Sequence, residues 1–423
     1  MQKMRTYSVI NLGCKVNRAE SDSVELDLAN AGMVSSKRDC DIVVVNTCTV
    51  TAVAEKKTRK TVRQALAANP KAKVIVTGCA AAQNRSVYED MSERVEVVQK
   101  WDLQDYLDDF KRGNIDCLAG NEGEASSESK LCDSVDDIYL ASSHELSDDD
   151  DCGYCRANVK VQDGCINECT YCIIHKLRGP EVSIDPEKVL ERTRQLADSG
   201  IAEVILSGIN LGRYDHEGQG LADLCNYLLE GEDRCRFRLS SIEPNNITDE
   251  IIECVANADG RICRHFHLPL QSGCDRTLKA MGRKYSASEY KDVIVAIRNA
   301  IPSASISTDV IVGFPGETEE DFEETVRFCK EIGFSKMHVF PYSLREGTPA
   351  YSMDGQIEHS VKNARAKALR DIAAQLREQD LAKRYGTHEM AVVEDESWCM
   401  TESYHRVPAP KGSIPGTFVE VLL

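Results

Sequence analysis

The sequence predicts an α/β protein in three parts: an N-terminal open parallel α/β domain (1–112), a central partial (β/α)6 barrel with a trailing helix (153–385) and a small C-terminal all-β barrel (386–423), with an acidic linker at 113–152. Three observations predict it. Extended and helical patterns alternate twice along the chain, as in parallel sheets joined by crossover helices. The alternation breaks at residues 121–151, where eleven acids and seven serines stand against one base and leave too little apolar surface for a core. After Gly386 helical spacing stops, and short strand-like runs separated by Pro and Gly take over.

In the first domain, Arg5 to Leu12 reads as extended, Ala19 to Ala31 as helical, Asp41 to Val45 as extended, Ala52 to Ala68 as helical and Lys73 to Thr77 as extended. Each extended run is followed by a cysteine: Cys14 in NLGCKVN, Cys48 in VVVNTCTV and Cys79 in IVTGCAAA. In an open parallel sheet the carboxyl ends of the strands share one edge, where ligands bind, so three thiols 34 and 31 residues apart can converge. A single such cysteine is ordinarily a small inert hydrophobe; three in the same structural phase predict a three-thiolate metal site.

In the barrel, strands are predicted at Ala157 to Gln162, Glu203 to Leu206, Arg236 to Ser240, Phe266 to Leu270, Ser305 to Ile311 and Met337 to Pro341. Helical patterns include Pro186 to Asp198, Glu319 to Glu331 and Val361 to Lys383. Just after the first strand stands DGCINECTYCII, with Cys165, Cys169 and Cys172 in a C-x3-C-x2-C run. Soft thiolates at a barrel mouth suit an iron-sulfur cluster, and three ligands for four irons leave one iron open. Structural zinc needs a closed set of four ligands, for which Cys152 and Cys155 are the available additions.

The chain has 423 residues, 18 of them cysteine, and a formal charge of −18, of which the segment 121–151 supplies −10. That balance argues against a protein that grips nucleic acid by bulk positive charge. No apolar run is long enough for a membrane span and the first residues lack a signal-peptide pattern, so the expectation is a cytoplasmic protein with no membrane partner, its thiols kept from disulfides.

At Cys165, Cys169 and Cys172 the chain resembles the radical S-adenosylmethionine (SAM) superfamily, and Tyr171 matches that superfamily's usual aromatic position. The trio Cys14, Cys48 and Cys79 narrows the resemblance to the methylthiotransferases, and residues 386–423 look like their TRAM domain. The spellings GCKVNRAES, SSIEPNNI and RHFHLPLQSGCDRTLKAMGRKY are similar to the bacterial branch that modifies threonylcarbamoyladenosine in transfer RNA. The isopentenyladenosine branch typically has Gln-Met-Asn after the first Gly-Cys and the ribosomal-protein branch Pro-Lys-Asn, where this chain has Lys15, Val16 and Asn17.

The resemblance implies two [4Fe-4S] clusters, SAM as cofactor, and replacement of the adenine C2 hydrogen at position 37 by a methylthio group. It also implies the anticodon stem-loop of transfer RNA as partner, and an electron donor and a sulfur donor whose identities the sequence does not name. SAM contacts are expected at Tyr171, Gly208, Glu243 and Gly313, while no side-chain acid or base is required. The competing readings are the same chemistry on isopentenyladenosine or on a ribosomal-protein aspartate, favoured by the −4 charge of residues 386–423, and a non-catalytic redox-sensing iron-sulfur scaffold. Phosphate contacts are expected from Lys56, Lys57, Arg59, Lys60 and Arg63, from Arg234, Arg236 and Arg238, or from the basic helix 361–385.

Overall fold

The computed structural model describes residues 4–47, 52–112 and 155–423, the side chains of 52–55 excepted; the acidic linker and Cys48 lie outside the described residues. The chain divides into two compact units, Met1–His144 with Asn158–Lys160, and Glu145–Ala157 with Val161–Leu423.

In the first unit five parallel strands lie in the order Val34–Ser35, Thr6–Asn11, Ile42–Thr47, Lys73–Gly78, Val95–Val97. The three strands read from sequence form the centre, and the two short outer ones complete it. Every residue of Ile42–Thr47 is buried because the strand is covered on both faces. Val43 and Val45 pack with Val62 and Ala65 of the Ala52–Ala68 helix, whereas Ile42 and Val44 pack with Val24 and Leu28 of the Lys15–Asn30 helix. The chain reverses its direction of travel across the sheet between Thr6–Asn11 and Ile42–Thr47. Such a switch point opens a crevice beyond the carboxyl ends of those two strands, and Cys14 and Cys48 follow them directly.

Six strands, all in the second unit except for Asn158–Lys160 of the first strand, follow one another around an open barrel: Arg156–Lys160, Glu203–Ser207, Arg236–Leu239, His265–His267, Ser305–Val312 and Lys336–Pro341. The third and fourth are joined only by the isolated bridges Phe237 to Ile262 and Ser241 to His267. Crossover helices start where the sequence places caps. Asp185 accepts from the Glu187 N–H ahead of Pro186–Asp198, and Ser286 with Glu289 and Thr318 with Asp321 form reciprocal capping boxes. The long helix His359–Lys383 then lies against the last barrel strand.

Residues 388–422 form a four-stranded antiparallel sheet in the order Arg406–Pro408, Trp398–Thr401, His388–Val393, Phe418–Leu422, with no closing ladder among the described residues. Its acidic balance has a structural explanation. Glu389, Glu394 and Glu402 are buried, Glu389 against Arg384 and Glu394 against Arg156. At the barrel floor Glu203 accepts from Arg156, Arg236 and Arg238, which hold its carboxyl well below the usual range against the opposing cost of burial. The spare guanidinium N–H groups donate to backbone oxygens of the sheet: Arg236 to Met390 and Met400, Arg238 to Thr401 and Glu402. This corrects the expectation of phosphate contacts at Arg236 and Arg238. The alternation Arg-Phe-Arg-Leu reads as a half-exposed strand, yet its arginine face lines a closed, charged barrel floor. Arg234 is half exposed but committed to Glu232 and Asp198.

Candidate active site

The Cys165–Cys172 loop leaves the first barrel strand through the short strand Gln162–Asp163, which pairs antiparallel with Val182–Ser183. Gly164 makes the turn possible: its φ is +76° and a Cβ there would stand 1.8 Å from the Pro180 carbonyl oxygen. The far side of the loop is pinned by Thr170, whose N–H donates to the Met281 carbonyl at 3.0 Å, whose hydroxyl donates to the Ala280 carbonyl at 2.8 Å and whose carbonyl accepts from the Ala350 N–H at 2.8 Å.

Each of the three sulfurs has one N–H donor. The Asn167 backbone donates to Cys165 Sγ at 3.4 Å, the Ile174 backbone to Cys172 Sγ at 3.4 Å, and Arg283 Nη1 to Cys169 Sγ at 3.2 Å. As uncoordinated thiols Cys165 and Cys172 resist ionisation: burial pushes Cys172 up to about 12, opposed by the Ile174 N–H and reinforced by Cys169, and burial raises Cys165 in the same way. A bound metal reverses this, since a coordinating thiol is deprotonated. Among the described residues no three His, Cys, Asp or Glu side chains surround a single metal ion. Three soft sulfurs on one loop, each offered an N–H that favours the thiolate, fit a multi-iron cluster, in which each thiolate binds its own iron.

Around this loop stand the other expected contacts. Tyr171 packs against the buried cluster of Met281, Phe314, Tyr342 and Ala350, and its hydroxyl accepts from Arg283 Nη1 at 3.4 Å. Glu243, beyond the third strand, lies 2.9 Å from Arg283 Nη2. Gly208, after the second strand, packs on Gln162, where a Cβ would come within 2.8 Å of Oε1. Gly313, after the fifth strand, donates its N–H to Glu317 Oε2 at 2.6 Å and has Lys362 against its α-carbon. All four therefore sit at carboxyl ends of barrel strands or on the loop itself, and protein contacts alone account for both glycines. His265 Nε2 and His267 Nδ1 share Ser307 Oγ at 2.8 and 2.9 Å. Arg283, which touches Cys169, Tyr171 and Glu243, is the residue that sequence reasoning missed; only the fold brings it to a loop 114 residues earlier.

In the N-terminal unit Cys14 is the exposed residue before the Lys15–Asn30 helix, and Cys79 is the buried first residue of a short helix. Cys48 lies outside the described residues. The loops that carry them are laced by a buried polar network. Asn17 Nδ2 donates to Asn46 Oδ1 at 2.8 Å and to the Thr47 carbonyl at 3.0 Å, and Asn46 Nδ2 returns a bond to the Asn17 carbonyl at 2.9 Å. Cys14 Sγ–H donates to Asn17 Oδ1 at 3.2 Å. Thr47 donates to the Thr77 carbonyl at 2.6 Å, and Gly78, at φ +89°, presses on Asn46 and Thr47 so closely that a Cβ would come within 2.5 Å of both.

Residues 159–329 match the Radical SAM superfamily, and residues 6–99 match Uncharacterized protein family UPF0004. The chain is 38% identical over 94% of its length to the threonylcarbamoyladenosine tRNA methylthiotransferase MtaB of Bacillus subtilis (strain 168), covering 87% of that protein. It is 34% identical to the MtaB of Aquifex aeolicus, with 97% and 98% of the two chains covered. It is also 34% identical to the tRNA-2-methylthio-N(6)-dimethylallyladenosine synthase of Pelotomaculum thermopropionicum, with 93% and 87% covered. Among solved structures, the fold is shared with the radical S-adenosylmethionine methyltransferase TsrM from Kitasatospora setae at a TM-score of 0.58 and 14% identity, over 82% of this chain and 75% of that one. With its two matched domains and these relatives along nearly its whole length, the chain belongs to the MtaB-type family of radical SAM methylthiotransferases.

Proposed function

We propose that this chain is the transfer-RNA methylthiotransferase of its branch, replacing the C2 hydrogen of N6-threonylcarbamoyladenosine at position 37 by a methylthio group. The observation that carries this reading is the barrel-mouth loop on which three thiols each receive an N–H, in a chain whose N-terminal domain has Cys14 and Cys79 at the carboxyl ends of parallel strands.

Cys165, Cys169 and Cys172 would hold one [4Fe-4S] cluster by three of its irons, and Cys14, Cys48 and Cys79 the other. When bound, the clusters and SAM supply what side chains cannot: hydrogen-atom abstraction from an aromatic carbon, and a methylated sulfur to take the hydrogen's place. The chain's own residues position and shield. Tyr171 packs against the apolar cluster of Met281, Phe314, Tyr342 and Ala350 and so covers one side of the loop. Glu243, at a strand end and fixed by Arg283, offers one carboxylate to a cationic or hydroxyl-bearing ligand. Gly208 and Gly313, at strand ends, let Gln162 and Lys362 pack closely beside the mouth. Lys56, Lys57, Lys60 and Arg63 are exposed along one helix and would attract the phosphates of the anticodon stem-loop.

The electron donor and the sulfur donor are separate partners, and we place the enzyme in the cytoplasm, where transfer RNA is modified; no helix among the described residues is long and apolar enough to cross a membrane. The test incubates reconstituted enzyme with transfer RNA bearing threonylcarbamoyladenosine, transfer RNA bearing isopentenyladenosine, and the ribosomal-protein substrate. Methylthiolation of the first is expected. Product from the second or third alone would overturn the substrate assignment and leave the family unchanged.

A further inference from the structure

We infer that Arg283 is a positioning residue that sets the reduction potential of the barrel cluster and couples it to Glu243. The inference rests on the proposal that Cys165, Cys169 and Cys172 hold that cluster.

Arg283 follows the helix Asp275–Ala280, whose end is anchored under the thiol loop through Thr170. Its N–H donates to the Leu278 carbonyl at 2.9 Å and so fixes the start of the side chain. The side chain is 2% exposed. Nε donates to Tyr285 Oη at 3.1 Å, and the guanidinium lies 4.8 Å over the Tyr285 ring. Tyr285 is locked in turn, its hydroxyl donating to the Pro269 and Leu270 carbonyls at 2.8 and 3.0 Å. The fork that remains has two directions. Nη1 reaches Cys169 Sγ at 3.2 Å and Tyr171 Oη at 3.4 Å, while Nη2 stands 2.9 Å from Glu243 Oε2. That last approach is an ion pair without hydrogen-bond alignment, so an Nη2 proton is left buried and unbonded. One cation of fixed geometry thus bridges a ligand sulfur and a carboxylate at the mouth.

A cation and an N–H at a ligand sulfur stabilise the more negative, reduced form of an iron-sulfur cluster and raise its potential. The Glu243 carboxylate offsets part of that charge. Arginine suits both tasks because its planar fork addresses two acceptors at once and stays charged when buried, whereas a lysine would offer a point charge to one of them.

The geometry therefore predicts two shifts of opposite sign. In the full-length, anaerobically reconstituted protein, Arg283→Gln should lower the midpoint potential of the cluster whose electron paramagnetic resonance signal changes on adding SAM, and Glu243→Gln should raise it. Arg283→Lys should recover part of the potential, and the signal of the N-terminal cluster should stay where it is in all three variants. Shifts of the same sign, or no shift in Arg283→Gln, would overturn the inference. If Arg283→Gln fails to load iron, Glu243→Gln decides alone: an unchanged or lowered potential overturns it. A wild-type protein with no SAM-sensitive cluster signal would instead refute the cluster assignment on which this inference stands.

Discussion

The two sets of thiols are held in opposite ways. Cys165, Cys169 and Cys172 occupy eight consecutive residues, and their spacing is fixed by one loop between Gly164 and Ile174. Cys14 and Cys79 belong to separate strand–helix connections and are brought to one sheet edge by topology, with Asn17, Asn46 and Thr47 lacing the connections together. A local site survives small movements of its domain because its ligands travel together. A distributed site inherits every error in the sheet. The difference teaches where each site is fragile: the first in its turn, the second in its polar lacing.

The sharpest way to break this comparison is to remove the ligands themselves. Substituting Ala for Cys165, Cys169 and Cys172 should abolish 5′-deoxyadenosine formation and leave about four of eight irons, if each trio holds a four-iron cluster. Substituting Cys14, Cys48 and Cys79 should leave 5′-deoxyadenosine formation intact while the methylthio nucleoside disappears. Chromatography of the two products, with iron analysis, separates the cases.

Next come the turns. Gly164→Ala places a Cβ against the Pro180 carbonyl and should destabilise the barrel unit by about 2 kcal/mol or more, with loss of iron from the barrel site alone. Gly78→Ala should do the same to the N-terminal site, and calorimetry with spectroscopy of each cluster would show whether the damage stays in its own unit.

Asn46→Ala tests the lacing. It removes one of the two acceptors of Asn17 Nδ2 and one of the donors to the Asn17 carbonyl from the buried network, at a cost of about 1–3 kcal/mol in denaturant unfolding, and should lower iron loading in the N-terminal unit only. Equal loss from both sites would contradict the separation drawn above.

The smallest effect is expected at the surface. Replacing Lys56, Lys57 and Lys60 by Gln should weaken transfer-RNA binding and flatten its log–log salt slope by roughly 0.7–0.9 for each phosphate no longer neutralised, leaving the choice of modified base unchanged. Filter binding over a salt series measures this directly.

What could be read from the sequence was what local chemistry dictates. The cysteine after each strand and the C-x3-C-x2-C loop are visible because strand ends and ligand spacings are written in consecutive residues. The helices Ala52–Ala68 and Pro186–Asp198 have the expected bounds because their patterns and flanking residues agree. Val34–Ser35 and Val95–Val97 escape notice since two or three residues carry no period. Arg283 and the Asn17–Asn46 pair could not be read as site residues, because their partners are distant in sequence and nothing local marks an arginine as facing a sulfur. Arg236 and Arg238 mislead for a physical reason: alternation says which residues share a face, and only the tertiary fold buries that charged face against Glu203 and the C-terminal sheet.

That barrel floor bears on how this chain can be cut. Tyr404, held at φ +68°, lays its ring 4.8 Å from the Arg238 guanidinium, 4.7 Å from Lys336 Nζ and 5.7 Å from the Arg156 guanidinium. A chain ending near residue 385 would strip Arg236 and Arg238 of four backbone acceptors and Arg156 of Glu394, while all three guanidinium groups still share the one carboxylate of Glu203. The C-terminal sheet is thus the stopper of the barrel and cannot be exchanged as a free-standing module: any transplant must bring a carboxylate for Arg156, carbonyls for Arg236 and Arg238, and a ring to stand where Tyr404 does.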